Sequence, residues 1–365
     1  MSKARGLADL GNAFDDGALS NRNLIINGGM VIDQRNGGAS VTGSASAAKF
    51  AADRFSFFAN TTGTITIQQV SDAPDGFANS NKVTCTSAAT SDSSASRVQL
   101  YHAIEGHNTA NLAFGSSSAK AITLSFWVKA SNTGTYGGSF VNGAANRSYP
   151  YQYTISASNT WEYKIITISG DTTGTWATDN TTGMYVFWSL GIGSTFEGTA
   201  NQWNGAFDIG PPSSFSLKDN LNATLQITGV QLEVGDTATP FEHRSYGDEL
   251  SKCQRYYWQA VKVASGDGNR YPVVNSAVYN TGPATYGTLW FPVAMRTAPT
   301  FSTSTIAAFR ARYGSDAYCV SSSYHGVITN QSAVLIFNSS SSITAGRGGW
   351  IEATDSAEAS FDAEL

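Results

Sequence analysis

From Ile122 to Lys129 the apolar residues Ile122, Leu124, Phe126 and Val128 alternate with residues that are mostly polar. That period of two is the mark of a strand with one face on a core. Ala223 to Glu233 alternates too, but its apolar phase moves from Leu225 and Ile227 to Val230 and Leu232 across Gly229. Such a shift predicts a β-bulge at Gly229. Met184 to Leu190 is apolar on both faces. It is either a central strand covered twice or a strand whose outer face meets another subunit, and we take the first. Between these runs lie Gly/Ser/Thr/Asn-rich spacers, Ser87–Ser96, Ser131–Asn146 and Asp171–Gly183, longer than plain connections need.

Strand signals fill the chain from about Asn23 to residue 245 without βαβ alternation, which predicts a jelly-roll β-sandwich over residues 22–246. Residues 1–21 differ. Leu7, Leu10 and Phe14 have weak helical spacing and lead into Asp15-Asp16-Gly17, so this segment reads as an arm or a disordered tail. A second break comes at Asp248–Tyr257, where charge and helix formers concentrate, giving a short helical hinge at 247–258. Beyond it, Val273–Tyr279, Thr288–Val293, Ile306–Ala311, Ala317–Val320, Ala333–Asn338, Trp350–Ala353 and Ser360–Leu365 predict a second, smaller β-sandwich over 259–365. The fold class is therefore all-β.

Composition sharpens this picture. Charged residues make up 13% of the 365, against 41% hydrophobic and 12% aromatic. The surface must be polar and neutral. With 22 bases, 27 acids and a net charge of −5, nothing favours a phosphate backbone, so nucleic acid is a poor partner. No run reaches membrane-spanning length and no signal-peptide core follows the first residues, which predicts synthesis in a cytoplasm and no membrane insertion. Cys85, Cys253 and Cys319 are far apart without CxxC spacing, so three free thiols are expected.

Signals for catalysis are weak. Asp33 beside Arg35, Asp53, and Glu105 near His102 and His107 could be arranged as acid–base sets, yet a salt bridge or loop hydrogen bond serves each equally. No nucleophile-elbow, zincin, P-loop or dinucleotide fingerprint is present. The histidines lack ligand spacing, so no metal or other cofactor is expected; loop oxygens could hold calcium, but no spacing marks such a site. More informative are aromatic residues in polar, glycine-rich surroundings: Tyr149, Tyr151 and Tyr153, then Trp176 and Trp203. A sugar ring offers a C–H face to such rings while neighbouring amides bond its hydroxyls. These five are the candidate glycan-binding residues, although each could instead pin a loop or face a core.

Several segments occur together in order: Asn21 to Met30, Asp33-Gln34-Arg35, Ala52 to Phe55, Leu124 to Ala130, Ile227 to Gly235, Thr239 to Leu250 and Cys253 to Tyr257. This succession resembles a family of bacteriophage virion proteins, mostly tail fibres, many from phages of marine cyanobacteria. It covers about residues 21–258 and is most specific over Gly229–Tyr257. Phe291 to Thr300 is also similar to domains that follow the hinge in that family. The opening Asn23 to Gly28 and closing Gly229 to Glu233 further resemble carbohydrate-binding jelly rolls, though Thr228-Gly229 stands where many such modules place paired Asp, which leaves a carried-over calcium unsupported.

The resemblance implies a virion structural protein, a homotrimeric tail fibre attached to other virion proteins through Leu7, Leu10 and Phe14 of the arm and adhering to host-surface carbohydrate. No catalytic residue carries over. Two other readings remain open at this point. One is a tailspike enzyme cleaving polysaccharide with Asp33, Asp53 or Glu105. The other is a head or neck decoration fibre.

Overall fold

The computed structural model of the chain describes residues 21–314 and 316–365. The arm with Leu7, Leu10 and Phe14 lies outside the described residues. Two compact units share the rest, residues 21–249 and 250–364, with the division inside the helix Tyr246–Gln254. Both are built of antiparallel strands, and among the described residues no helix is long and apolar enough to cross a membrane.

The first unit contains β1 (Val41–Thr42), β2 (Lys49–Phe50), β3 (Phe55–Asn60), β4 (Thr64–Val70), β5 (Ser80–Ser87), β6 (Arg97–Glu105), β7 (Ile122–Ala130), β8 (Gly134–Asn142), β9 (Ser148–Ile155), β10 (Glu162–Ile168), β11 (Thr182–Ile192) and β12 (Thr224–Val234). One six-stranded sheet runs β1-β4-β5-β12-β7-β10 and the other β2-β3-β6-β11-β8-β9. Strands distant in sequence are thus neighbours, as in a jelly roll. We call these the first and second sheets. The inward residues of β7 alternate as the sequence requires, and Phe126 meets Trp188 of β11 edge to face at 5.8 Å across the core.

The bulge falls where the phase shift put it. Thr228 pairs with Trp127 and Gln231 with Ser125, leaving Gly229 and Val230 opposite the single residue Phe126, and Gly229 has φ +60°. Strand β11 is central in the second sheet, between β6 and β8. Its Met184, Val186, Trp188 and Leu190 fill the core, while Tyr185 and Phe187 face outward under Phe196, Phe207 and Ile209 of the following loop. It is covered twice within one chain.

The spacer Ser131–Asn146 is not a plain loop, because it contains β8. Glycine and serine lower its intrinsic strand preference, but pairing to β11 on one side and β9 on the other overrides that preference, with Tyr136 and Phe140 in the core. The sandwich is closed by its own ends. The Leu24 amide donates to the Leu232 carbonyl at 2.9 Å and the Val230 amide to that of Gly28 at 3.0 Å. The Glu242 carboxylate accepts the amides of Asn21 and Asn23 at 2.6 and 2.9 Å. Arg244 donates to the Asn23 and Ile25 carbonyls from the same segment.

The second unit contains β13 (Tyr257–Lys262), β14 (Tyr271–Ala277), β15 (Gly282–Trp290), β16 (Thr300–Ser304), β17 (Phe309–Tyr313), β18 (Asp316–Ile328), β19 (Ser332–Ile343), β20 (Gly348–Ala353) and β21 (Glu358–Asp362). Six of these close on themselves in the order β14-β15-β19-β18-β17-β20, so the larger sheet is a barrel with no free edge. The sheet β13-β21-β16 accompanies it. Phe361 anchors that sheet, with Phe291 at 4.8 Å, Phe301 at 5.0 Å and Trp258 at 5.6 Å. Two strands, β13 and β16, have no counterpart in the sequence reading. β13 begins two residues after the helix, with its first two residues inside the expected hinge, while Ile306–Ala308 is a 3₁₀ turn that delays β17 to Phe309.

Candidate functional site

Tyr149, Tyr151 and Tyr153 share the inward face of β9, and depth of burial separates the five aromatic candidates. Tyr151 is fully buried, its hydroxyl donating to the Phe187 carbonyl at 2.8 Å. Tyr153 packs on Phe126 at 5.2 Å and Tyr136 at 5.9 Å. Burial pushes both phenols well above their ordinary pKa. The structure therefore corrects the glycan role for these two, because a core ring has no face left for a ligand. The other three come together. Trp203 lies 5.2 Å from Tyr149 and 5.5 Å from Trp176, and Phe114 completes the cluster at 4.9 Å from Trp176. All these contacts are edge to face, and both indole N–H groups are used: Trp203 donates to Ser169 O at 3.0 Å and Trp176 to Thr173 O at 3.4 Å. Arg147, held by Asp171 through bonds of 2.8 and 2.6 Å, borders the indole of Trp203. The cluster ties the loops after β10 and after β11 together.

Asp33 and Asp53, singled out from sequence, are held by local polar bonds, and Glu105 is buried. Asp33 accepts the amides of Asn36 at 2.8 Å and Gly38 at 2.6 Å, organising a turn. Asp53 is buried against Arg35 at 3.3 Å and accepts the Gln34 side-chain Nε2–H at 2.6 Å. Glu105 is 1% exposed and offers no surface to a polysaccharide. Among the described residues, no group of three or more His, Cys, Asp or Glu side chains converges as a metal site. Cys85 and Cys253 are buried and unbridged.

The exposed rings that could meet a ligand lie elsewhere. On the outer face of the first sheet, β7 carries Thr123, Ser125, Trp127 and Lys129, and the neighbouring edge strand β10 places Tyr163 opposite Trp127. Their ring centroids are 5.3 Å apart, and Tyr163 and Ile165 are 40% and 53% exposed. Beside this floor stands a wall in which Phe77, Phe241 and His243 pack mutually at 4.9–5.4 Å. A Cβ on residue 229 would come within 2.6 Å of Phe77 and 3.1 Å of Trp127, so glycine lets the wall meet the floor there. Floor and wall enclose a groove of about 420 Å³, with Asp75 and Thr239 at its margin.

The wall is held by polar bonds rather than by a strand. Glu233 accepts the Thr239 amide at 2.9 Å, and Gln231 accepts the Glu242 amide at 2.8 Å. An open groove with two neighbouring rings on its floor and an amide-bonded rim can stack the C–H face of a sugar and bond its hydroxyls. Sequence reasoning passed over Trp127 and Tyr163. The signal was present in β7, where Trp127 is the one aromatic residue on the otherwise polar phase of the strand. Phe77, Gly229 and Phe241 join it only through tertiary pairing.

A second cleft, of about 650 Å³, opens on the outer face of the second sheet. Gln152, Glu197, Asn204 and Asp208 line it, with Pro211 and Pro212 at one end. It carries carboxylates and amides where the groove carries rings.

No protein-family model matches the chain, and no curated protein matches it. Among solved structures, the enzymatically active domain of tailspike protein 4 from bacteriophage CBA120 is similar at 11% identity and a TM-score of 0.32, over 59% of this chain. The chain spans 22% of that domain's length. A protein described as sugar binding, from Bacteroides thetaiotaomicron, is similar at 13% identity and a TM-score of 0.34, over 58% of this chain and 100% of the other. A family 11 carbohydrate-binding module of a Clostridium thermocellum cellulase gives 13% identity and a TM-score of 0.27, over 55% and 98%. Likeness at this level leaves the groove's own geometry as the ground for a functional reading.

Proposed function

We propose that the chain is a bacteriophage virion structural protein, a tail fibre that adheres to host-surface glycan without transforming it. The observation that carries the adhesive part is the pair of rings, half-buried Trp127 and exposed Tyr163, lying side by side on the floor of the groove. Solvent-facing aromatic pairs on a β-sheet cost solubility, and a polar rim beside them suits a ligand that is apolar on its ring faces and hydroxylated at its edges. What supports the virion part is the ordered succession of motifs over residues 21–258 and the low-charge, strand-dense build. The same reading takes the chain as a homotrimer, with the segment before residue 22 as its attachment to the particle. Three linked weak sites would gain avidity by about 10²–10⁴ for a matched pair, so millimolar single sites suffice.

The test is a glycan array probed with the purified protein, followed by calorimetry on the best ligand. Trp127→Ala should weaken binding about tenfold, the equivalent of ~1.4 kcal/mol of lost stacking, with the folded circular-dichroism spectrum retained. Binding that ignores both Trp127→Ala and Tyr163→Ala would remove the groove from the reading. Sustained release of reducing ends from host polysaccharide would replace adhesion by cleavage.

A further inference from the structure

The cleft on the second sheet has a different chemistry from the groove and a frame that is already fixed. On one side, Glu197 bridges to Gly210 in parallel fashion, with the Ile209 amide donating to Phe196 O at 2.8 Å and the Gly198 amide to Gly210 O at 3.1 Å. On the other, Asn201 and Asn204 donate their amides to Pro150 O and Ser148 O of β9, each at 2.8 Å. Phe196, Phe207 and Ile209 dock this ribbon onto Tyr185 and Phe187. The walls stand without a ligand, which spares a ligand the cost of ordering them.

Within that frame sits a carboxylate that the protein does not neutralise. Asp208 is 6% exposed, and Ser148 Oγ donates to its Oδ2 at 3.1 Å. No lysine, arginine or histidine lines the cleft, and among the described residues neither Asp208 nor Glu197 forms an ion pair. Elsewhere in this unit buried carboxylates do have cations: Asp53 has Arg35 and Asp171 has Arg147. Burying a carboxylate is costly unless charge or donors meet it. The neutral partners in the cleft, Gln152 and Asn204, supply carbonyl acceptors and amide donors at its margin. What is missing is positive charge.

We infer that this cleft binds a glycan bearing free amino groups, with an ammonium paired to Asp208 and Glu197 and ring hydroxyls bonded by Gln152 and Asn204. A volume of about 650 Å³ lies within the range of small-ligand sites. Charge-assisted bonds from an ammonium to a carboxylate are roughly twice as strong as neutral ones. The same two negative charges repel uronic and other acidic sugars. The inference takes its ligand class from the adhesive reading above but rests on different residues, on the opposite sheet.

The experiment is calorimetric titration of the full chain at mildly acidic pH with three tetrasaccharides: de-acetylated chitosan, its N-acetylated counterpart, and galacturonate. The de-acetylated probe should bind at least tenfold more tightly than the acetylated one, and galacturonate should give no heat. Asp208→Asn and Glu197→Gln should each weaken the de-acetylated probe about tenfold while leaving the circular-dichroism spectrum unchanged, and Trp127→Ala should leave this binding intact. Equal affinity for acetylated and free amines, binding that survives both acid substitutions, or spermidine binding as tightly as the tetrasaccharide would each overturn the inference. Loss of binding in Trp127→Ala together with indifference to Asp208→Asn would sink it while leaving the groove in place. The reverse pattern would support it and leave the groove to be judged by its own glycan-array test.

Discussion

His102 shows how far one side chain can depend on its surroundings. It is fully buried in β6, 5.0 Å from Phe55, and its Nε2 accepts the Ile26 amide at 3.4 Å. Burial, with the positive charges of Arg54 and Arg244, holds its pKa well below the ordinary histidine value. The folded state therefore keeps His102 neutral where the unfolded chain takes up a proton below about pH 6.5. Below that pH the unfolded state binds more protons, so stability falls as pH falls, by up to ~1.4 kcal/mol per pH unit for this one group. Urea midpoints of the wild type between pH 7.5 and 5 should decline, and His102→Gln should flatten that slope. The local consequence of sequence is equally clear at Gly229, which the shift in apolar phase identified and the left-handed backbone explains. Tyr151 and Tyr153 were legible only as members of an alternating run. Which face of β9 pointed inward was decided by pairing with β8, and no property of the two residues themselves records it.

At the scale of elements, β11 and its covering ribbon are the most telling pair. A strand apolar on both faces needs two covers, and residues 193–210 supply the outer one from the same chain. Phe187 is 2% exposed under that ribbon. Phe187→Ala should cost about 3–5 kcal/mol, as for other buried phenylalanines, read as a fall in the denaturant midpoint of this unit. Alternation made the class of fold readable, and the phase of β7 even set Trp127 apart. Pairing order was not readable. β12 lies between β5 and β7, and β18 and β19 run much further than their apolar centres at Ala317–Val320 and Ala333–Asn338 suggest. Barrel closure extends strands by backbone hydrogen bonds, which polar residues satisfy as well as apolar ones. The groove was unreadable for the same reason, since residues 75–77, 127, 163, 229 and 238–243 meet only after the sheets form.

For the molecule as a whole, closure of the first unit depends on a small set of charged side chains. Burial works against ionisation of Glu242, but the Asn23 amide and Arg244 outweigh it and hold its pKa below the ordinary glutamate value. A depressed carboxylate contributes stability that is present above its unfolded pKa and lost as pH falls through the folded one. Glu242→Ala removes the acceptor of two backbone amides and a partner of Arg244, and should cost about 1.5–3 kcal/mol by equilibrium unfolding. The same contacts set the route of any mechanical load. Asn21, Asn23 and Ile25 are tied directly to Glu242 and Arg244, so tension applied to the two ends of this unit crosses it through that short strap. The twelve-stranded body lies beside that line of pull, whereas Phe241 and His243 of the groove's wall sit on it, next to Glu242 and Arg244, so a taut tether bears on the groove before it bears on the sheets.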